Sequence, residues 1–467
     1  MPGLKELSIA DAVDGLKSRE FSCAEYIDEL IAQCEASTDL NALISWNWDK
    51  LRAEAVEFDN APPSDLPLAG IPLVLKDNIN TASLPTTGAT GALQGFVPKT
   101  NAPVAQSLFS AGAMLGGKGN MHELAFGITN NNPVTGAARN PFNRDMIPGG
   151  SSGGVAAAVA QRLFPGGIGT DTGASVRLPA SLCGLVGFRP TVGRYPGPGI
   201  IPISHTRDTA GPIVRTVADA ILLDQVMSGP SKSTEAVDLK TLRLGVPRGY
   251  FYENLEPSVA AAAAVFLDNL QAAGVNLVES DIPDIAALND AVGFPVALYE
   301  LMQDFPEYLR ESGLDLTMQD ILDGVGSEDV KGILGSQLGE EVIPAALYQQ
   351  VMQHDRPRLQ AAYARYFEHH TVDAILFPTA PLTARPIGDD EMVELNGSQV
   401  PTFPTFIRNT DPASNAGIPG ISLPAGLSEG GLPIGMELDG PEGSDCRLLA
   451  IAESIDAEIG IKLNPAQ

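Results

Sequence analysis

Polar and apolar positions near the start of the chain recur at helical spacing. After Ser22, the residues Tyr26, Ile27, Leu30, Ile31 and Cys34 return every three to four positions, which predicts a helix with one buried face. Ser8 with Asp11, and Ser22 with Glu25, have the spacing of N-terminal caps, in which a hydroxyl and a carboxylate satisfy orphan N–H groups. The pattern then shortens. Gly70-Ile-Pro-Leu-Val-Leu75 is an apolar run between breakers and predicts a buried strand, with Lys76 at its end. Pro103 to Ala111 predicts a helix and Ala113 to Gly117 another strand. Gly149 to Gly154 is a Gly/Ser loop, and the small residues of Val155-Ala-Ala-Ala-Val-Ala160 suit a tightly packed helix. Gly166 to Ala174 is a second glycine-rich stretch. Ala374-Ile-Leu-Phe377 and Ile421-Ser-Leu423 predict two late buried strands, after a more helical region at about 250–370.

Alternating strands and helices point to an α/β fold, a sheet covered on both faces. The polar stretch Ser228 to Val237, with Gly229 and Pro230, reads as a surface connection ahead of the helical region. The late strands need partners, and the first-half sheet is the economical one. The whole of 1–467 is therefore expected to form a single domain, with the 250–370 region shaping the substrate site.

Composition narrows the function classes. Hydrophobic residues are 44% and charged residues 18%, which suits a globular chain. Lys and Arg number 29 against 57 Asp and Glu, a net charge of −28. No basic stripe offsets it, so neither nucleic acid nor an anionic membrane surface is an expected partner. A second copy of the chain, as a homodimer, is left open. The four cysteines (Cys23, Cys34, Cys183 and Cys446) lie far apart without a C-x-x-C pair, as in a reduced cytoplasmic protein. Met1 to Ala10 carries Lys5 and Glu6 and no apolar run, so no signal peptide is expected. No uncharged apolar stretch of about 18 residues is present to span a membrane.

Common cofactor signals fail. His122-Glu123 has Phe126 where a zincin needs its second histidine, and the adjacent His369 and His370 face different ways on a helix. No metal is expected. The dinucleotide fingerprint and the phosphate loop are both absent, so no cofactor is expected. Gly149-Gly-Ser-Ser-Gly153 fits the nucleophile elbow G-x-S-x-G, but Met146-Ile147-Pro148 makes a poor strand before it.

Three other places combine better. Lys76 ends an apolar strand, Gly149-Gly-Ser-Ser-Gly-Gly154 supplies hydroxyls, and Gly169-Thr-Asp-Thr-Gly-Ala-Ser175 supplies another hydroxyl in a glycine-rich turn. A serine nucleophile needs a base, and burial makes a lysine neutral and basic at pH 7. The oxyanion that forms needs N–H donors, which such a turn exposes.

These segments resemble the amidase signature family. The matching motifs run from Gly70-Ile-Pro-Leu-Val-Leu-Lys-Asp77 and Arg139-Asn-Pro-Phe142 through Gly149–Gly154. Gly169–Ala180, Cys183-Gly-Leu-Val-Gly-Phe-Arg-Pro190, Asp208-Thr-Ala-Gly-Pro212 and Gly417–Pro424 follow in order. The resemblance implies a large twisted mixed sheet and a Ser–cis-Ser–Lys triad. In it Ser175 is the nucleophile, Ser151, cis to Gly150, is the bridge, and Lys76 is the base. It further implies support from Ser152 and an oxyanion hole from the N–H groups of Thr172, Gly173, Ala174 and Ser175. Asp171 and Arg177 are expected to pair and brace the nucleophile turn. Leu178 follows Arg177, so no second cation stands there for a substrate carboxylate. One departure is Ala174, where many members carry glycine; a positive φ there would strain it.

Within the family the chain is similar to hydrolases of primary arylacetamides of the indole-3-acetamide type. Gly173–Pro179, Phe188–Pro196, Thr206–Gly211, Asn415–Gly420 and Asn120–Leu124 carry that likeness. It implies release of ammonia from a small-molecule amide. Mandelamide and other amide hydrolases share much of the pattern. The glutamine-hydrolysing subunit of tRNA-dependent amidotransferases is the reading from another class. Met121, His122 and the stretch Phe294–Tyr308 are candidates for the substrate pocket.

Overall fold

The computed structural model describes residues 3–61, 65–229 and 236–465. Its strands, in chain order, are β1 (Leu43–Ser45), β2 (Pro72–Lys76), β3 (Met114–Gly119), β4 (Gly166–Asp171), β5 (Val186–Arg189) and β6 (Thr209–Val214). They continue as β7 (Arg243–Val246), β8 (Asn276–Glu279), β9 (Ala374–Pro378), β10 (Met392–Leu395), β11 (Ser398–Pro401), β12 (Gly420–Leu427) and β13 (Pro433–Asp439). Eleven of them form one sheet in the order β1-β3-β2-β4-β6-β5-β12-β13-β9-β7-β8, and β10 pairs with β11 as a separate hairpin. The sheet is mixed. β2 runs parallel to β3 and β4, whereas β4, β6, β5, β12, β13 and β9 pair antiparallel in turn. The late strands thus lie between the early ones and β7–β8.

Both faces are covered, because side chains alternate along each strand. On β2, Leu73 and Leu75 join a core with the helices Ile9–Ser18, Cys23–Ala36, Pro103–Ser110 and Val217–Ser228. Val74 points the other way, into the all-small helix Gly153–Ala160. On β9, Leu376 joins the first core while Ile375 and Phe377 pack on the far face with Val292 and Val296. The predicted caps are present: Asp11 N–H donates to Ser8 Oγ at 3.0 Å, and Ser22 with Glu25 closes a reciprocal capping box.

The region from Pro257 to His370 is mostly helical, with one strand, β8. Its longest helix, Ile285–Glu311, is long and apolar enough by composition to cross a membrane. One face of it packs against the fold: Leu301, Phe305 and Leu309 are buried, and buried Glu300 accepts hydrogen bonds from Ser204 and Tyr348. Most of the connection expected at Ser228 to Val237 lies outside the described residues; at its end Val237 is buried and donates to Ser454 Oγ.

The sheet topology collects functional groups at one edge. β2 and β4 are parallel, so Lys76 and Asp171 both emerge at C-terminal ends there. The antiparallel neighbours bring the end of β5 (Arg189), the start of β12 (Gly420) and the end of β13 (Asp439) to the same edge.

Candidate active site

Lys76 is fully buried at the end of β2. Its Nζ donates to Ser151 Oγ at 2.7 Å, to Thr170 Oγ1 at 2.9 Å and to the Thr170 carbonyl at 3.3 Å. Burial lowers the lysine pKa to about 7, against the opposing pull of Asp171 and Asp208. A substantial share of Lys76 is therefore neutral at pH 7. Asn78 also donates to Thr170 Oγ1, at 3.0 Å, which fixes the hydroxyl that Lys76 meets.

Ser151 stands in the turn before the helix Gly153–Ala160, and the Gly150–Ser151 peptide is cis. The helix approaches the backbone around Asn120 closely: a Cβ at Gly154 would lie 2.4 Å from the Asn120 carbonyl oxygen. Only glycine fits there, which ties the start of the helix to the segment following β3. Ser152 clasps β4 instead, exchanging hydrogen bonds with the Thr170 N–H and carbonyl at 3.3 Å each.

The turn after β4 carries Thr172, Gly173, Ala174 and Ser175, all of which line one cavity. Asp171, at the root of that turn, accepts from Arg177 Nε and Nη2 at 3.1 Å each and from Arg189 Nη1 at 3.0 Å. Burial alone would raise the Asp171 pKa, but these two guanidinium groups hold it well below the usual carboxylate range. Arg177 also reaches the Gly173 carbonyl at 3.0 Å, Ser414 Oγ at 2.6 Å and Glu437 Oε1 at 2.6 Å. Glu437 and Asp439 share one face of β13, and burial raises both, Asp439 further through the Glu437 charge. The N–H of Val176 closes the turn onto Asp171 at 3.1 Å. Ala174 has no positive φ, so its methyl is unstrained; it is buried with Ile128, Leu178 and Leu182.

The cavity leaves about 80 Å³ for the centres of water-sized molecules and opens to solvent. Phe126, Ile128, Ile203, Phe294, Ala297, Leu298, Ile333, Phe403 and Ile407 make most of its wall. Phe294 and Phe403 lie 6.2 Å apart, centroid to centroid. Of the residues expected in the pocket, Phe294, Ala297 and Leu298 are on the wall, but Met121 and His122 are not. Met121 is fully buried against Ala89, Ala125 and Ile203. The His122 ring is held between Asp329 at 3.1 Å and the Asn130 N–H at 3.3 Å. Tyr308 is buried and donates to Asn80 Oδ1 at 2.8 Å. Among the wall residues not expected from the sequence are Arg207 and Asp411, which pair at 2.7 Å. Arg207 lies within Thr206–Gly211, one of the segments that carry the family likeness, so that segment was the available signal. Away from the cavity, His205, Glu300 and Asp304 form the one cluster with metal-ligand spacing among the described residues, and Glu300 already accepts from Ser204, Thr206 and Tyr348.

Comparison with known proteins gives a consistent picture. Residues 25–449 match the amidase family. The chain is 51% identical to the indoleacetamide hydrolase of Rhizobium radiobacter over 97% of each chain. It is 39% identical to the mandelamide hydrolase of Pseudomonas putida, over 98% of this chain and 92% of that one. Among solved structures it is similar to an amidase (TM-score 0.87, 31% identity, 97% of this chain and 99% of that one). It is also similar to the peptide amidase of Stenotrophomonas maltophilia (TM-score 0.85, 27% identity, 99% and 98%).

Proposed function

The chain belongs to the amidase family and hydrolyses amide C–N bonds, and from that premise we propose that its substrate is a primary arylacetamide of the indole-3-acetamide type, cleaved to the carboxylate and ammonia. The observation that carries the proposal is the apolar, aromatic-walled cavity with Ser175 on its side, together with the 51% identity to an indoleacetamide hydrolase. A flat hydrophobic group suits such a wall, and few polar groups are needed to orient it. Mandelamide is the second reading, favoured by the 39% identical relative. Glutamine fits less well, since the wall's two charges, Arg207 and Asp411, are paired with each other and the rest of the wall offers its charged α-groups little.

The proposed chemistry runs through three groups. Neutral Lys76 takes the proton of the Ser151 hydroxyl as Ser151 takes that of Ser175. Ser175 Oγ forms a bond to the amide carbon, and the carbonyl oxygen becomes an oxyanion facing N–H groups of the Thr172–Ser175 turn. The relay returns the proton to the amide nitrogen, the C–N bond breaks and ammonia leaves. Water then attacks the acyl-enzyme by the same route, and the carboxylate departs. The 2.7 Å contact between Lys76 and Ser151 supports the relay, and the Asp171–Arg177 pair supports a bracing role beneath the turn. No step calls for a metal or cofactor. A cytoplasmic setting is proposed as well, supported by four cysteines that all carry free thiols.

Ammonia release from indole-3-acetamide, mandelamide and glutamine tests the substrate class. Release from the aryl amides with little from glutamine is expected. Release from glutamine alone would replace this reading with an amidotransferase subunit.

The pH profile tests the base. Lys76 acts only when unprotonated, and burial brings its pKa to about 7. The value of kcat/KM should therefore fall about tenfold per pH unit below pH 7 and level off above it. A profile that keeps rising to pH 10 would show a base with an ordinary lysine pKa and overturn the tuning of Lys76 by burial, whereas a profile flat from pH 5 to 9 would remove Lys76 from the role.

A further inference from the structure

Arg207 and Asp411 are the charged side chains among the described residues that line the cavity. Both are nearly buried, at 4% and 7% exposure. They adjoin the reacting turn: a Cβ on Gly173 would lie 3.0 Å from Asp411 Oδ1 and 3.5 Å from Arg207 Nη2. Arg207 Nη2 donates to Asp411 Oδ1 at 2.7 Å and Nη1 to the Gly293 carbonyl at 2.7 Å, while its buried Nε has no protein partner. Asp411 Oδ2 accepts from Asn415 Nδ2 at 2.9 Å and Asn289 Nδ2 at 3.1 Å.

On the acceptor side, that arrangement leaves one capacity. A carboxylate has about four lone-pair sites, and these protein donors occupy three. The fourth can accept. The two charges neutralise each other, so neither a cationic amine nor a second carboxylate gains much net attraction from the pair. The remaining fit is an uncharged N–H on a flat, otherwise apolar group. We propose that Asp411 accepts a hydrogen bond from a ring N–H on the acyl side of the substrate, and so selects nitrogen heteroaromatic acetamides over carbocyclic ones. This inference rests on the arylacetamide reading above.

The test compares kcat/KM for indole-3-acetamide and benzothiophene-3-acetamide, in which sulfur replaces the ring N–H in nearly the same shape. The thio ring is the more hydrophobic, so an apolar wall alone favours it or treats both alike. Wild-type enzyme should prefer the indole by about 10- to 100-fold, the yield of a hydrogen bond to a charged acceptor. Asp411→Asn should erase most of that ratio. Phe294→Ala, which trims the apolar wall, should lower both values in parallel and keep the ratio. A wild-type ratio near one, or a ratio untouched by Asp411→Asn, would overturn the inference and leave the arylacetamide reading intact. Turnover of neither amide by the wild type would overturn both. If Asp411→Asn fails to fold, the wild-type ratio still decides.

Discussion

Ser175→Ala is expected to lower kcat on every amide by a factor on the order of 10⁴ or more, with the fold unchanged. The residue is small, sits in a turn at the cavity wall, and is 8% exposed, so removing one oxygen costs little packing. What disappears is the atom proposed to bond the amide carbon. The turn's N–H groups and the aryl wall remain, and such residual groups sustain only a small fraction of a serine enzyme's rate. Ammonia release by the variant, measured beside its circular dichroism and its affinity for an arylacetamide, checks this. Retained turnover in a folded variant would move the nucleophile elsewhere. Ser151→Ala is the informative companion, because it keeps the attacking hydroxyl and breaks the path to Lys76 2.7 Å beyond.

Arg177→Met should damage folding as well as activity. The guanidinium is fully buried and supplies hydrogen bonds to Asp171, Gly173, Thr410, Ser414 and Glu437. Without it, Asp171 keeps only Arg189 as a cationic partner, and Glu437 loses its own. Breaking one side of a buried pair costs about 3–5 kcal/mol, because the other charge stays in a poor solvent. Glu437 and Asp439, already pushed toward their protonated forms by burial, should then take up protons at neutral pH. Thermal and urea unfolding of Arg177→Met against wild type measures the loss. Arg177→Lys should rescue little, since an ammonium cannot fork onto two carboxylates. An unchanged unfolding midpoint for Arg177→Met would show that the pair is dispensable.

How much of this was legible in the sequence depended on distance along the chain. The helix after Ser22, the strand ending at Lys76 and the strand at Ala374–Phe377 follow local periodicity, and each stands close to its predicted bounds. β4 did not read as a strand. Its sequence, Gly-Gly-Ile-Gly-Thr-Asp, carries glycine at 167 and 169 because the neighbouring helix lies directly on that face. A Cβ at Gly167 would meet Val155 at 2.6 Å, and one at Gly169 would meet Ser152 Oγ at 2.6 Å. Close packing, invisible to any local pattern, chose those glycines. The Lys76, Ser151 and Ser175 motifs were legible because each sits in a distinctive local run. The pairing of Arg207 with Asp411 was not, since 204 residues separate the two. Met121 and His122 illustrate the opposite case, a distinctive run whose side chains serve packing and a loop tie.

The placement of β12 and β13 between β5 and β9 has a consequence for synthesis on the ribosome. Lys76, Ser151 and Ser175 all emerge from the exit tunnel in the first half of translation. At that stage β5 lacks the β12 edge that flanks it, and Arg177 lacks Thr410, Ser414 and Glu437. The nascent chain thus presents its reactive groups without the frame that orients them, while an unpaired strand edge waits exposed for much of the remaining elongation. Activity should switch on late and abruptly, when the last strands thread into the middle of the sheet.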